Sequence, residues 1–119
     1  MVKFYNDLNS LGEVMKKALI ICAAGMSSSL MAKKVTEFFA SKNIPIELDA
    51  VSATEGSNKI KNSDFSLFLV SPQTMMMFDK LKALGDEVGK PVVSIPFQAY
   101  IPIQSGIEQL AKLVEDNIN

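Results

Sequence analysis

Residues 18–30 of the chain read ALIICAAGMSSSL, and this stretch predicts both the fold and the position of the site. Its first part, Ala18–Ile21, is a short unbroken apolar run, which is typical of a strand buried on both faces of a parallel sheet. A loop of small residues follows. Apolar residues then recur at helical spacing from Ser29 to Lys42, with charged residues on the opposite face. The stretch therefore predicts a strand, a loop and a helix.

The rest of the chain repeats this alternation of strand and helix. We predict further strands at residues 46–51, 65–70 and 91–95, a loop at residues 96–102, and helices at residues 54–61, 72–88 and 103–118. Ser71 and Pro72 form an N-cap followed by a proline, and Gly89 is suited to a left-handed helix terminator. Parallel strands joined by right-handed helical crossovers predict an α/β domain with a four-stranded parallel sheet in the order 2-1-3-4, covered by helices on both faces.

Composition limits the classes of function. A chain of 119 residues, 48% of them hydrophobic, suits one domain, which we place at residues 17–119 with residues 1–16 as an N-terminal appendage. The net charge of −1 without a basic stripe argues against nucleic acid, and no apolar run is long enough for membrane insertion, so we expect a cytoplasmic protein. One cysteine and no histidine exclude an internal disulfide and the usual transition-metal ligands, and we expect no metal and no cofactor.

The candidate nucleophile is Cys22, because it stands where the first strand ends and the loop begins. Ligands of such sheets bind outside the carboxyl ends of the strands, here at the reversal of winding between the first and third strands. Small residues let backbone N–H groups converge on an anion, and the helix dipole adds positive potential, which also favours the thiolate. We therefore predict a phosphate-binding loop made of Ala23, Ala24, Gly25, Met26, Ser27, Ser28 and Ser29, with Gly25 at a positive φ.

Several classes of cysteine or phosphate chemistry remain to be weighed. A Cys-His hydrolase lacks its imidazole, and a P-loop nucleotide site lacks its motif. A low-molecular-weight phosphatase or arsenate reductase needs C-x₅-R, but Ser28 stands in the arginine position and the chain has no arginine. A flavodoxin-like module that holds the phosphate of FMN is a further alternative, weakened by the absence of tryptophan.

The loop CAAGMSSSL after a short buried strand resembles the IIB component of the lactose/cellobiose (chitobiose) class of the bacterial phosphoenolpyruvate-dependent sugar phosphotransferase system, whose loop is typically C-[SA]-x-G-M-S-[TS]-[SA]-L. The resemblance implies a flavodoxin-like, low-molecular-weight-phosphatase-like fold and a protein-phosphocysteine–sugar phosphotransferase. It implies that Cys22 accepts phosphate from a phosphohistidine of the IIA protein and passes it to a disaccharide bound in the membrane IIC permease. Which sugar is moved, and whether the role is transport or regulation, stay open.

The resemblance also implies supporting residues at two later positions. Gln73 belongs to Ser71-Pro72-Gln73, which is usually Gly-Pro-Gln in the family, so Ser71 is a departure. Tyr100 matches a tyrosine that is common in the loop after the fourth strand. Met26 and Phe97 are expected near the same rim as apolar docking residues.

Overall fold

The computed structural model describes residues 15–23 and 26–118, without the side chains of Met26 and Ser27. The strands are β1 (Lys16–Cys22), β2 (Ile46–Ser52), β3 (Leu67–Val70) and β4 (Val92–Ser94). The helices are α1 (Met26–Ser41), α2 (Ala53–Lys61), α3 (Phe78–Val88) and α4 (Gln104–Asn117), with 3₁₀ turns at Pro72–Met77 and Phe97–Tyr100.

The four strands form one parallel sheet in the order β2-β1-β3-β4, which confirms the predicted topology. β1 lies inside the sheet and is buried from Ala18 to Cys22, as expected for an apolar strand covered on both faces. It begins at Lys16, which pairs with Ile46, so the strand includes the last residue of the predicted appendage. Residues 1–14 of that appendage lie outside the described part of the chain.

Alternate residues of the central strands face two separate cores. Ala18 and Ile20 pack with residues of α1 and α4, whereas Leu19 and Ile21 pack with residues of α2 and α3. This alternation follows from the two-residue period of a strand. Helices on both faces of the sheet hold β1 in place, and with it the residue at which the strand ends.

Helix boundaries differ from the sequence prediction in two places. α1 begins at Met26 rather than Ser29, because small polar residues are well tolerated in the first turn of a helix. The predicted single helix over residues 72–88 is divided into the 3₁₀ turn Pro72–Met77 and α3. The segment after Ser71 starts as a tight 3₁₀ turn, because the N–H of Thr74 donates to the carbonyl of Ser71, only three residues earlier.

The other end of α3 and the segment after β4 are also informative. Gly89 has a φ of 73° and ends α3 in the left-handed conformation, as predicted. The segment over residues 96–102, predicted as a loop, contains the 3₁₀ turn Phe97–Tyr100 before α4 starts at Gln104.

Within the described residues, β2 is an edge strand, as the sequence predicted, and its backbone is partly covered by side chains. The N–H of Leu48 donates to Oγ1 of Thr36 on α1 at 2.9 Å, and the N–H of Ala50 donates to Oδ1 of Asp49 at 2.9 Å. Glu47 and Asp49 are exposed along the same strand. Side chains therefore satisfy edge amides that no neighbouring strand occupies.

Candidate functional site

Cys22 is the last residue of β1 and is 2% exposed. In the sheet register it lies beside Ser52, where β2 ends, and the N–H of Ser71, just after β3, donates to the carbonyl of Ile21 at 2.9 Å. We call this side of the sheet, where the four strands end, the carboxyl edge. The structure thus puts the thiol at the switch point, since the chain leaves β1 for one face and β3 for the other.

Two contacts within the described residues reach the sulfur of Cys22. Its Sγ lies 2.7 Å from Oγ of Ser28, and the thiol donates to the carbonyl oxygen of Val51 at 3.5 Å. Ser28 is completely buried. The sequence did not distinguish among Ser27, Ser28 and Ser29, and the described contact with the thiol is made by Ser28. The contact with the Val51 carbonyl was not predicted, because backbone contacts between strands depend on the sheet register.

The first turn of α1 lies directly beyond the thiol. Ser27 and Ser28 were predicted to precede the helix, which was expected to start at Ser29, but they belong to this turn, because the helix begins at Met26. The amide groups at the start of a helix have no intrahelical acceptor and carry the positive end of the helix dipole. The amides available to an anion thus come in part from a helix terminus. Ala23 is exposed. Ala24 and Gly25 lie outside the described residues, so the positive φ of Gly25 stays a prediction.

The turn after β3 is held by a pair of buried hydroxyl groups. Ser71 and Thr74 are 0% and 2% exposed, and their Oγ and Oγ1 atoms lie 2.8 Å apart. Ser71 occupies the cap position of the 3₁₀ turn, but its hydroxyl bonds to Thr74 rather than to a backbone amide. Thr74 thus gives the buried hydroxyl of Ser71 a hydrogen-bond partner. Gln73, between them, is exposed at the same edge.

Tyr100 lies at the end of the 3₁₀ turn after β4 and is 7% exposed. It belongs to the core cluster that also contains Ile95, Ala99 and Leu110. Its ring therefore supports the connection between β4 and α4 and offers little surface to a docking protein. Phe97, in the same turn, is 68% exposed.

The carboxyl edge is apolar and largely free of charge. Residues 18–32, 65–78 and 91–107, which include the connections after β1, β3 and β4, contain no charged residue, and the connection after β2 has its first charge at Glu55. Most of the large exposed apolar residues of the described chain fall in these three segments: Leu30, Met75, Met76, Phe97 and Ile103. Met77 instead packs against the core, so the run of three methionines is divided between surface and interior.

Two further features of the described residues concern metals and membranes. In residues 15–23 and 26–118, His, Cys, Asp and Glu side chains form no group of three or more that could hold a metal ion. The helices in these ranges are all too short or too polar to cross a membrane.

Known proteins resemble the chain in sequence. The model of the family described as "PTS system, Lactose/Cellobiose specific IIB subunit" matches residues 17–112. The oligo-beta-mannoside-specific EIIB component of Bacillus subtilis (strain 168) is 30% identical over 86 residues, which cover 72% of this chain and 82% of that protein. The lactose-specific EIICB component of Lactococcus lactis subsp. lactis is 29% identical over 85 residues, 71% of this chain. This chain spans only 15% of that longer relative.

Solved structures resemble the chain in fold. The lactose-specific IIB domain from Streptococcus pneumoniae superposes with a TM-score of 0.77 at 15% identity, covering 89% of this chain and all of that one. The cellobiose-specific IIB protein from Borrelia burgdorferi superposes with a TM-score of 0.70 at 25% identity, covering 91% and 95% of the two chains. The family model matches this chain over most of the chain's own length, from residue 17 to residue 112. The chain therefore belongs to the lactose/cellobiose-specific IIB family of the sugar phosphotransferase system.

Proposed function

We propose that the chain is a phosphoryl carrier, in which Cys22 accepts phosphate from a phosphohistidine of a IIA protein and passes it to a disaccharide held by a membrane IIC component. The observation that carries the proposal is the position of the thiol, at the end of β1 and directly before the first turn of α1. That turn directs helix amides and a positive dipole end toward the place where a dianion would be bound.

The two transfers balance without any further reactant. In the first, the S–P bond forms at Sγ of Cys22 while the N–P bond of the donor breaks; the electron pair of the N–P bond returns to the imidazole nitrogen, and the thiol proton is taken up there. In the second, a sugar hydroxyl oxygen bonds to phosphorus while the S–P bond breaks, its electron pair stays on Sγ, and the proton lost by the hydroxyl restores the thiol. Phosphoryl transfer depends mainly on positioning and charge stabilisation, which fixed amides supply. The donor imidazole comes with the IIA protein, which fits a chain without histidine.

We assign the carrier domain to residues 17–119 and the phosphate cradle to residues 23–29. Gln73 is exposed in the turn beside the thiol strand, so its amide is available to a phosphate oxygen or to the partner. Tyr100, being buried, acts by holding the turn that presents Phe97. A IIC partner is supported by the lactose-specific relatives from Lactococcus lactis and Lacticaseibacillus casei, which are EIICB components.

Both partners have to approach the same sulfur, so we assign them one docking surface, the apolar carboxyl edge. Met76 is 92% exposed in the connection after β3, and Phe97 is exposed in the connection after β4. Apolar side chains at the centre of an interface contribute most of the binding free energy. An uncharged carboxyl edge suits a carrier that binds two partners in turn, because its contacts do not require a particular pattern of charges on either partner.

The proposal is tested by the mass of the intact protein after incubation with phosphoenolpyruvate, the two general phosphotransferase proteins and a matching IIA protein. We expect a gain of about 80 Da, the mass of one added phosphoryl group. Cys22→Ser should show no gain while its circular dichroism spectrum stays that of the native protein. A gain of the same size in Cys22→Ser would show that another residue is the acceptor, and no gain in the native protein with an active donor set would refute the carrier role.

A further inference from the structure

The sulfur of Cys22 has contacts that differ in how they respond to the loss of the thiol proton. The carbonyl oxygen of Val51 accepts a hydrogen bond only from a protonated thiol. The hydroxyl of Ser28, 2.7 Å from Sγ, can donate to a thiol and to a thiolate alike. Once the proton has left, the Val51 contact turns repulsive and the Ser28 contact becomes a charge-assisted hydrogen bond.

Both partners of the contact between Ser28 and Cys22 are buried, with exposed fractions of 0% and 2%. Ser28 has no exposed surface, whereas a phosphoryl donor can reach Sγ only from outside the protein. A hydroxyl in direct contact with sulfur and closed to solvent is therefore suited to act on Sγ, while backbone amides and exposed side chains remain for the phosphate oxygens.

We propose that Ser28 is a positioning residue that stabilises the Cys22 thiolate as nucleophile in the first transfer and as leaving group in the second. This inference rests on the carrier role proposed above and identifies one residue that tunes it. When the phosphoryl group passes to the sugar hydroxyl, the electron pair of the S–P bond stays on Sγ, and the Ser28 O–H is already in place to receive that charge. Fixed donors of this kind need no reorganisation as the charge develops.

The hydroxyl is tested first with Ser28→Ala, which adds no atoms to the buried site. We expect both transfer rates to fall about tenfold, as for the loss of one hydrogen bond to a charged group. The matched control is Ser41→Ala, in the last turn of the same helix, where the serine hydroxyl donates to the carbonyl of Phe38 at 2.7 Å. The control should retain the native rates.

A second pair of variants separates the hydroxyl from the shape of the side chain. Ser28→Thr keeps the hydroxyl and Ser28→Val replaces it with a methyl group of the same shape, so any crowding in the buried site affects both equally. The threonine variant should transfer about tenfold faster than the valine variant. It should also show more thiolate absorbance in the far ultraviolet at the same pH, read as a difference from Cys22→Ser. This signal has one source because the chain has a single cysteine.

The outcomes are distinct. Native rates and native thiolate absorbance in Ser28→Ala would overturn the role of Ser28, as would equal rates and absorbance in the threonine and valine variants. Slow transfer in all three Ser28 variants with unchanged absorbance would mean that Ser28 only supports the fold, which also overturns it. If the native protein itself accepts no phosphate, the carrier role fails, while the absorbance of the variants still tests whether Ser28 stabilises the thiolate.

Discussion

The two ends of the sheet are built from different interactions. At the carboxyl edge, long uncharged segments surround Cys22 and large apolar side chains are exposed. At the opposite end, where the strands begin, lysines join the connections together. Nζ of Lys17 lies 3.4 Å from the carboxylate of Asp64 and 5.3 Å from the ring centroid of Phe65. Nζ of Lys90 donates to the carbonyl of Ser63 at 2.7 Å and lies 5.7 Å from the ring centroid of Phe68.

Under the proposed function, this difference separates recognition from stability. At the end where the strands begin, charged side chains fix the connections through hydrogen bonds and contacts with aromatic faces. The carboxyl edge, to which the proposal assigns partner docking, is apolar, so contacts there would not depend on pairing particular charges across an interface. Mutations at the two ends should accordingly alter different measurable quantities.

The largest effect is expected at Gly106, in the first turn of α4. A Cβ on this residue would lie 2.1 Å from the carbonyl oxygen of Ile101, which is backbone and cannot yield without moving the turn that presents Phe97. Gly106→Ala should lower the free energy of unfolding by about 3 kcal/mol, measured by urea denaturation.

Gly89→Ala at the amino-terminal end of the strands is the control for Gly106→Ala. Its Cβ would meet no atom within 4 Å, and its cost of about 1 kcal/mol comes from the positive φ alone. If Gly106→Ala is no more destabilising than Gly89→Ala, the conclusion that α4 lies too close to the Ile101 carbonyl to accept a Cβ at residue 106 is wrong.

The next effect concerns docking, and it compares two exposed apolar residues at opposite ends. Phe97→Lys places a charge on the apolar carboxyl edge. This variant should raise the KM for the phosphorylated IIA protein about tenfold, because a charge that is buried in an interface has to be desolvated. Val88→Lys, at the end of α3, is the matched variant and should leave the KM unchanged. Steady-state phosphoryl transfer measures both, and an equal KM in the two variants would show that the partner binds elsewhere.

The smallest effect is expected from Lys90→Met. The substitution keeps the length of the side chain but removes the donor to Ser63 and the cation near Phe68, so stability should fall by about 1 kcal/mol while phosphate acceptance is unchanged. Lys112→Met, which breaks an exposed pair with Asp116 on α4, should cost only a few tenths of a kcal/mol. Urea denaturation of both variants checks this, and a loss of phosphate acceptance in Lys90→Met would contradict the separation of the two ends.

Much of the fold was predictable because its signals are local. The apolar run before Cys22, the helical spacing after it and the glycine at position 89 each act within a few residues. The strand order followed from the alternation of strands and helices, because crossovers between parallel strands are right-handed. The start of α1 was missed by three residues because serines such as Ser27 and Ser28 are as compatible with a loop as with a first helical turn. The division of the third helix begins with the backbone bond from the N–H of Thr74 to the carbonyl of Ser71, three residues back, which the spacing of apolar residues does not reveal.

The site was predictable as a place but not as a set of contacts. The position of Cys22 at the end of a buried strand follows from the sequence, whereas the roles of Ser28 and of the Val51 carbonyl depend on sheet register and helix phase. The uncharged segments are visible in the sequence. That they form one apolar surface follows only from the fold, which brings the connections after β1, β3 and β4 to the same edge of the sheet.

The covered edge of β2 has a consequence for the behaviour of the protein at high concentration. The amides of Leu48 and Ala50 are taken by Thr36 and Asp49, and the acidic Glu47 and Asp49 repel a second copy of the same strand. A sheet that leaves such an edge open invites pairing between molecules and the growth of aggregates. Along β2 that route is obstructed by the side chains of Thr36, Glu47 and Asp49, whereas the exposed Met76 and Phe97 belong to the connections after β3 and β4. At this edge of the sheet, the backbone therefore does not offer a template for pairing with a second copy.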